Sequence, residues 1–98
     1  MKEISTNKLM DLLNNKNINL IDVRTEMEYA GSHIPEAQNF PLEEIAKFSG
    51  NKNQPYYLIC RSGNRSSQAA AILELKGYEV TNVQGGMLDW HGKTISEL

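Results

Sequence analysis

The sequence predicts an α/β fold: a small, mostly parallel sheet of about five strands with helices on both faces. Three observations carry this expectation. Short apolar or β-branched segments alternate along the chain with segments of helical periodicity. The run Tyr56-Tyr57-Leu58-Ile59 is apolar without alternation, as in a strand covered on both sides. A length of 98 residues, 40% hydrophobic and 22% charged, fits one globular domain over 1–98.

The elements follow in order. Ser5 or Thr6 caps a first helix whose Leu9, Leu12 and Leu13 recur at i, i+3 and i+4. Residues 18–23 (Ile-Asn-Leu-Ile-Asp-Val) read as a strand. Thr25-Glu26-Met27-Glu28 has the form of a capping box, and the helix it opens ends by Gly31, ahead of Pro35. Asn39-Phe40 reads as a brief strand, and Pro41 as the start of a helix with Leu42, Ile45 and Ala46 on one face. The polar stretch 49–55 is a loop before the strand that ends at Cys60. From Arg65 or Ser66 to Lys76 a helix is expected, with Ala69, Ile72 and Leu73 on its stripe and Gly77 at its stop. Residues 79–83 form a further strand, Gly85-Gly86 open a short helix through Trp90, and residues 2–5 form an edge strand.

Composition narrows the function. Ten Lys and Arg against twelve Asp and Glu give a net charge of −2, so nucleic acid is not an expected partner. No apolar run approaches the ~18 residues that span a bilayer, and the first residues lack a signal-peptide core, so the cytoplasm is the expected compartment. Cys60 is the only cysteine, which excludes an intramolecular disulfide and a CxxC pair. His33 and His91 stand far from it in sequence without a ligand cluster, so neither a metal site nor a cofactor is expected.

The chemistry concentrates after Cys60. A strand ends there, Arg61-Ser62-Gly63-Asn64 form a tight connection, and Arg65-Ser66-Ser67 open a helix. Ligands of open α/β sheets bind beyond the carboxyl ends of strands, where amide N–H groups and a helix N-terminus converge. Such a setting, with Arg61 and Arg65 nearby, lowers a thiol from ~8.5 to roughly 3.5–7.5. Gly63 permits a left-handed backbone, and Asn64 takes the same conformation at modest cost. The expectation is a partly exposed thiolate in an anion-binding cradle, with Arg61 the more peripheral of the two cations.

These residues resemble a family. Cys60-Arg61-Ser62-Gly63-Asn64-Arg65 is similar to the CRxGxR active loop of rhodanese-type sulfurtransferases. Leu20-Ile21-Asp22-Val23-Arg24, Glu28-Tyr29, and His33-Ile34-Pro35 with Ala37 and Asn39 resemble its DVR, E-[YF] and GHIPGA-x-N signatures. Val83-Gln84-Gly85-Gly86 with Trp90 resembles its closing GG-x3-W element, so the likeness covers nearly the whole chain. Ser32 and Glu36 stand where the pattern has glycines, and Glu36 adds negative charge on a surface expected near the site entrance.

The resemblance implies a single free-standing rhodanese domain that moves sulfane sulfur in two steps through a persulfide on Cys60. The donor is a small anion such as thiosulfate; the acceptor is cyanide, a thiol or a protein. Arg61, Ser62, Gly63, Asn64, Arg65 and Ser66 would hold the anionic sulfur. Asp22 and Arg24 are read as structural neighbours of the site, Arg24 pairing with Glu28 or Asp22. A protein-to-protein sulfur carrier is the alternative. A related branch of phosphatases and arsenate reductases has a loop one residue longer, and the six residues from Cys60 to Arg65 match the sulfurtransferase length. His33 is read as a packing residue and Trp90 as a core anchor.

Overall fold

A computed structural model describes residues 1–98. Its five strands are β1 (Lys2–Ile4), β2 (Asn19–Asp22), β3 (Ala37–Asn39), β4 (Pro55–Ile59) and β5 (Glu79–Val83). They form one sheet in the order β1-β5-β4-β2-β3, and every neighbouring pair is parallel. Parallel neighbours need crossover connections, and these supply the helices. They are α1 (Thr6–Asn15), α2 (Glu26–Gly31) and α3 (Asn64–Leu75), joined by 3₁₀ turns at Leu42–Lys47 and Gly86–Asp89.

Local chemistry explains the boundaries. Ser5 caps α1 by accepting the Lys8 amide at 3.1 Å. Thr25 and Glu28 form the reciprocal capping box at the start of α2. Gly77, at φ 96°, turns the chain after α3. The α2 stop needs no glycine, because Ser32 adopts extended backbone at φ −170°.

Side chains of β2 and β4 alternate between two cores. Ile21, Val23, Tyr56, Leu58 and Cys60 pack with Ala69, Ala70 and Leu73 of α3 and with Ile45. Leu20, Ile59 and Val83 pack on the opposite face with Leu9 of α1, Ile34 and Ala37. Helices therefore cover both faces, and the unbroken apolar run of β4 is satisfied on each side. Two expectations need correction. The segment after Pro41 is 3₁₀ rather than α-helical: no side chain caps it, whereas the equally short α2 has its capping box. On α3, Ala70 rather than Ile72 completes the buried stripe. Small Ala69 and Ala70 let the helix sit close on the sheet, while Ile72 is 36% exposed at the edge of the contact.

Strand order reverses between β2 and β4: from β2 the chain moves to β3 at one edge, and from central β4 it moves the opposite way, to β5. A crevice at the carboxyl ends of these two strands is where such sheets place a ligand. The residues after β4 begin with Cys60, and those after β2 include Arg24 and Thr25.

Candidate active site

Cys60 follows β4 with its side chain on the α3 face. The connection to α3 turns at Gly63, whose φ of 102° is a left-handed value. That turn brings the Gly63 amide to 3.1 Å from Cys60 Sγ, and the first turn of α3 sets the Ser66 hydroxyl 3.3 Å from it. Burial pushes the thiol up. Hydrogen bonds from the Ser66 hydroxyl and from the amides of Ser66, Gly63 and Ser62 outweigh it, holding Cys60 below its ordinary value of 9.0. The arrangement stabilises an anionic sulfur through fixed dipoles, with no histidine base beside it.

The exposure expected for Cys60 is corrected: the residue is only 1% exposed. The segment after β5 closes over the loop. Met87 N–H donates to the Cys60 carbonyl at 2.8 Å and Leu88 N–H to the Arg61 carbonyl at 3.0 Å. Gly85 and Gly86 make this approach possible, both with positive φ. A β-carbon on Gly86 would lie 2.4 Å from the Cys60 carbonyl oxygen and 2.6 Å from that of Arg61. The pair of glycines so prominent in the sequence thus lets this segment pack directly against the backbone of the loop.

Arg61, Ser62 and Asn64 are exposed at the rim. Arg61 has no carboxylate within ion-pair distance, which leaves it the free cation of the loop. Asn64 does not share the left-handed conformation of Gly63, since it already lies in the first turn of α3 and one such residue completes the bend. Arg65 is engaged: its two terminal nitrogens meet the Glu28 carboxylate at 2.6 and 2.9 Å. This bidentate pair spans the crevice from α3 to α2 and, as the largest cause, lowers Glu28 from 4.5 to about 2. The same pairing raises Arg65, with a further contribution from Cys60. A depression of about 190 Å³ adjoins it, lined by Val23, Thr25, Pro41, Leu42, Glu43 and Arg65.

Asp22 and Arg24 stand behind the crevice as a buried pair. The Asp22 carboxylate accepts the Arg24 backbone amide at 3.0 Å and its Nη2 at 2.8 Å, and Nη2 also reaches the Ser32 carbonyl at 2.7 Å. Of the two partners open to Arg24, the structure selects Asp22, because Glu28 faces Arg65. His33 is buried, stacked on Tyr29 at 3.7 Å between centroids and bonded through Nδ1 to the Tyr29 carbonyl. Trp90 is half-buried on the α1 side, its Nε1 donating to the Lys93 carbonyl.

Glu36 lies away from the sulfur, and it is not at the site entrance where its charge is expected. It precedes β3, whose Ala37 registers with Leu20, and so lies at the amino ends of the strands, opposite Cys60. There it lines the largest depression, about 410 Å³, with Ile18 and Tyr56. One residue of the site went unnoticed in the sequence: Asn82 of β5, 2% exposed, whose Oδ1 meets Ser66 Oγ. Its signal was a carboxamide inside a strand covered on both faces, where a polar group requires a partner.

Comparison with known proteins agrees with this geometry. Residues 5–93 match the family described as "Rhodanese-like domain". The chain is 37% identical over 97 residues to "Putative sulfurtransferase YtwF" of Bacillus subtilis (strain 168), covering 96% of this chain and 94% of that protein. It is 43% identical over 82 residues to "Putative sulfur carrier protein YrkF" of the same organism, covering 81% of this chain; it spans only 44% of that relative's length. The crystal structure of a rhodanese-like domain protein from Staphylococcus aureus superposes with a TM-score of 0.87 at 40% identity, covering 95% of this chain and 94% of that one.

Proposed function

The chain belongs to the rhodanese-like domain family, and from that premise we propose that it transfers sulfane sulfur through a persulfide on Cys60. The observation that carries the proposal is the cradle: the only thiol, lowered in pKa, with the Gly63 amide and the Ser66 hydroxyl within 3.3 Å of its sulfur. In the first step the Cys60 thiolate attacks the outer sulfur of thiosulfate or of another persulfide donor. A new S–S bond forms, the donor's S–S bond breaks, and sulfite (or the donor thiolate) departs with the electron pair. In the second step a thiophilic acceptor attacks the terminal sulfur, and Cys60 leaves as the thiolate. With cyanide the product is thiocyanate; with a thiol it is a new persulfide. One displacement becomes two easier ones, as in covalent catalysis generally.

In this reading Ser62, Gly63 and Ser66 donate to the sulfur anion, and Arg61 attracts the anionic donor. Asn64 starts the helix whose N-terminus faces the sulfur, and Arg65 holds the loop in place through Glu28. Asp22 and Arg24 brace the crevice. The test is intact-mass measurement after incubation with thiosulfate. Wild type gains one sulfur atom and Cys60→Ser gains none; absence of the adduct together with absence of thiocyanate overturns the proposal.

A second reading, a carrier that receives and delivers sulfur between proteins in the same cytoplasmic compartment, is favoured by the burial of Cys60. A covered persulfide resists small acceptors and discharges when a protein partner moves the loop. Fast loading with slow turnover on cyanide and glutathione supports the carrier; fast turnover supports the enzyme.

A further inference from the structure

The hydrogen bonds behind Cys60 contain a competition. Asn82 lies in β5 on the side facing Ser66, and its Nδ2 donates to the Gly63 carbonyl at 3.3 Å and to the Glu3 carboxylate at 3.2 Å. Both partners are acceptors only, so the orientation of the amide is determined, and the atom that meets Ser66 Oγ is the carbonyl oxygen Oδ1. That oxygen has no proton to give, so the Ser66 hydroxyl donates to it. The hydroxyl has a single proton. Cys60 Sγ, 3.3 Å from Ser66 Oγ, is the second claimant.

While Cys60 is a thiol, every group is satisfied: S–H donates to Ser66 Oγ, and O–H donates to Asn82 Oδ1. Once the sulfur is ionised it needs donors. The hydroxyl turns to it only by leaving Asn82 Oδ1, a buried acceptor, without a partner, and that is unfavourable. We propose that Asn82 is a positioning residue that competes with the Cys60 sulfur for the Ser66 hydroxyl proton, and so decides how much of that hydrogen bond the anionic sulfur receives. The inference deepens the reading of Cys60 as the sulfur-transferring nucleophile. Its chemical sense is restraint: nucleophilicity falls as a thiol becomes more acidic, and the best attacking thiol ionises near ambient pH. A cradle with several donors and no competitor would make a stable thiolate and a sluggish one.

The charged groups around the sulfur are Arg61 in its own loop, Arg65 of α3 with Glu28 of α2, the Asp22–Arg24 pair after β2, Asp89 beside Gly85, and Glu3 of β1 behind Asn82. Replacing Asn82 alters none of these charges. Glu3→Gln keeps an acceptor oxygen for Asn82 while removing the nearest carboxylate, and so separates charge from proton competition.

The test is titration of Cys60, the only thiol, by ultraviolet thiolate absorbance and by iodoacetamide alkylation. Asn82→Leu and Asn82→Ala lower the midpoint by about half a pH unit, roughly a threefold rise in thiolate fraction below the midpoint. In a Ser66→Ala background the same substitutions leave the midpoint unmoved, and Glu3→Gln leaves it unmoved in the wild-type background. An unchanged or raised midpoint in either folded Asn82 variant overturns the inference. So does a shift that persists without Ser66, or one reproduced by Glu3→Gln. Should neither Asn82 variant fold, ¹⁵N NMR of wild type decides. The Asn82 carboxamide resonances move through the same midpoint as the thiol, and a carboxamide indifferent to thiol ionisation overturns the proposal. No sulfur donor enters these measurements. Failure of sulfur transfer with a shifted midpoint therefore counts against the proposed function alone, and normal transfer with an unshifted midpoint counts against this inference alone.

Discussion

Replacing Glu28 by Gln isolates the pair that ties the loop to α2. Glutamine keeps an oxygen for the Thr25 amide and hydroxyl, which Glu28 Oε1 accepts at 3.0 and 3.1 Å, so the capping box survives while the charge facing Arg65 disappears. Glu28 is lowered from 4.5 to about 2, chiefly by its hydrogen bonds with Arg65. At ~1.36 kcal/mol per unit, that shift has a nominal value of roughly 3 kcal/mol. Both side chains are 32% exposed, so solvent screens the pair and its contribution falls to about 1 kcal/mol. Because the folded-state pKa is depressed, this stabilisation is fully present above pH 4.5 and is lost as the pH falls toward about 2. Urea unfolding at neutral pH therefore places Glu28→Gln about 1 kcal/mol below wild type, or roughly 4–8 °C lower in Tm for a domain of this size. The two converge at strongly acid pH. A double-mutant cycle with Arg65→Gln assigns the loss to the pair. Equal stabilities from pH 7 down to pH 3, or a coupling energy of zero, refute the assignment of Arg65 as the pin of the loop.

Three further outcomes follow from the same geometry. Gly86→Ala combines a left-handed φ of 55° with a β-carbon 2.4 Å from the Cys60 carbonyl oxygen. It costs about 2–4 kcal/mol and disturbs the alkylation rate of Cys60, measured beside thermal unfolding; unchanged values would show that the loop is not clamped there. Ser66→Ala removes one donor to the thiolate and raises the Cys60 titration midpoint by about one pH unit, an unshifted midpoint being the contrary result. Arg61→Ala raises the KM for thiosulfate roughly threefold, more at low ionic strength than at high, with kcat little changed, as suits an exposed charge worth under ~1 kcal/mol. Initial rates at two salt concentrations decide it, and a KM insensitive to both residue and salt removes Arg61 from donor capture.

Sequence legibility divides along the range of the interactions involved. The capping box at Thr25 and Glu28, the glycine stop at Gly77 and the strand at Glu79–Val83 depend on neighbours a few residues away, and each is where the sequence pattern puts it. The position of Cys60 at the end of a doubly covered strand was legible for the same reason. Its burial is not, because it depends on packing in the α3-face core against residues distant in sequence such as Ile21 and Val23. No periodicity reports on such a contact. The partners of the arginines show the same limit. Asp22, Arg24, Glu28 and Arg65 allow more than one set of ion pairs, and only the crevice between β2 and β4 assigns Glu28 to Arg65 and Asp22 to Arg24. The distance of Glu36 from the site entrance is not legible, because a turn residue carries no sign of which end of the sheet it occupies.

A loop this short does not preorganise itself, and electrostatic stabilisation of an anion depends on dipoles that are already aimed. Here the aim comes from outside the loop, at separate points. Glu28 of α2 holds Arg65, and the amides of Met87 and Leu88 hold the carbonyls of Cys60 and Arg61. Each of these pins uses a group that is not a donor to the sulfur, so the amide of Gly63 remains available to it, and only the Ser66 hydroxyl is contested, by Asn82. A family that includes relatives named as sulfurtransferases and as sulfur carriers can therefore keep one cradle and vary how easily the pins release. Weakening the Gly86 clamp or the Glu28–Arg65 pair should then speed discharge to small acceptors more than it slows loading. Strengthening them should confine discharge to a partner able to displace the loop. The ratio of cyanide turnover to persulfide loading, compared between wild type and Glu28→Gln, measures that balance directly; a ratio that stays constant would separate loop anchoring from acceptor choice.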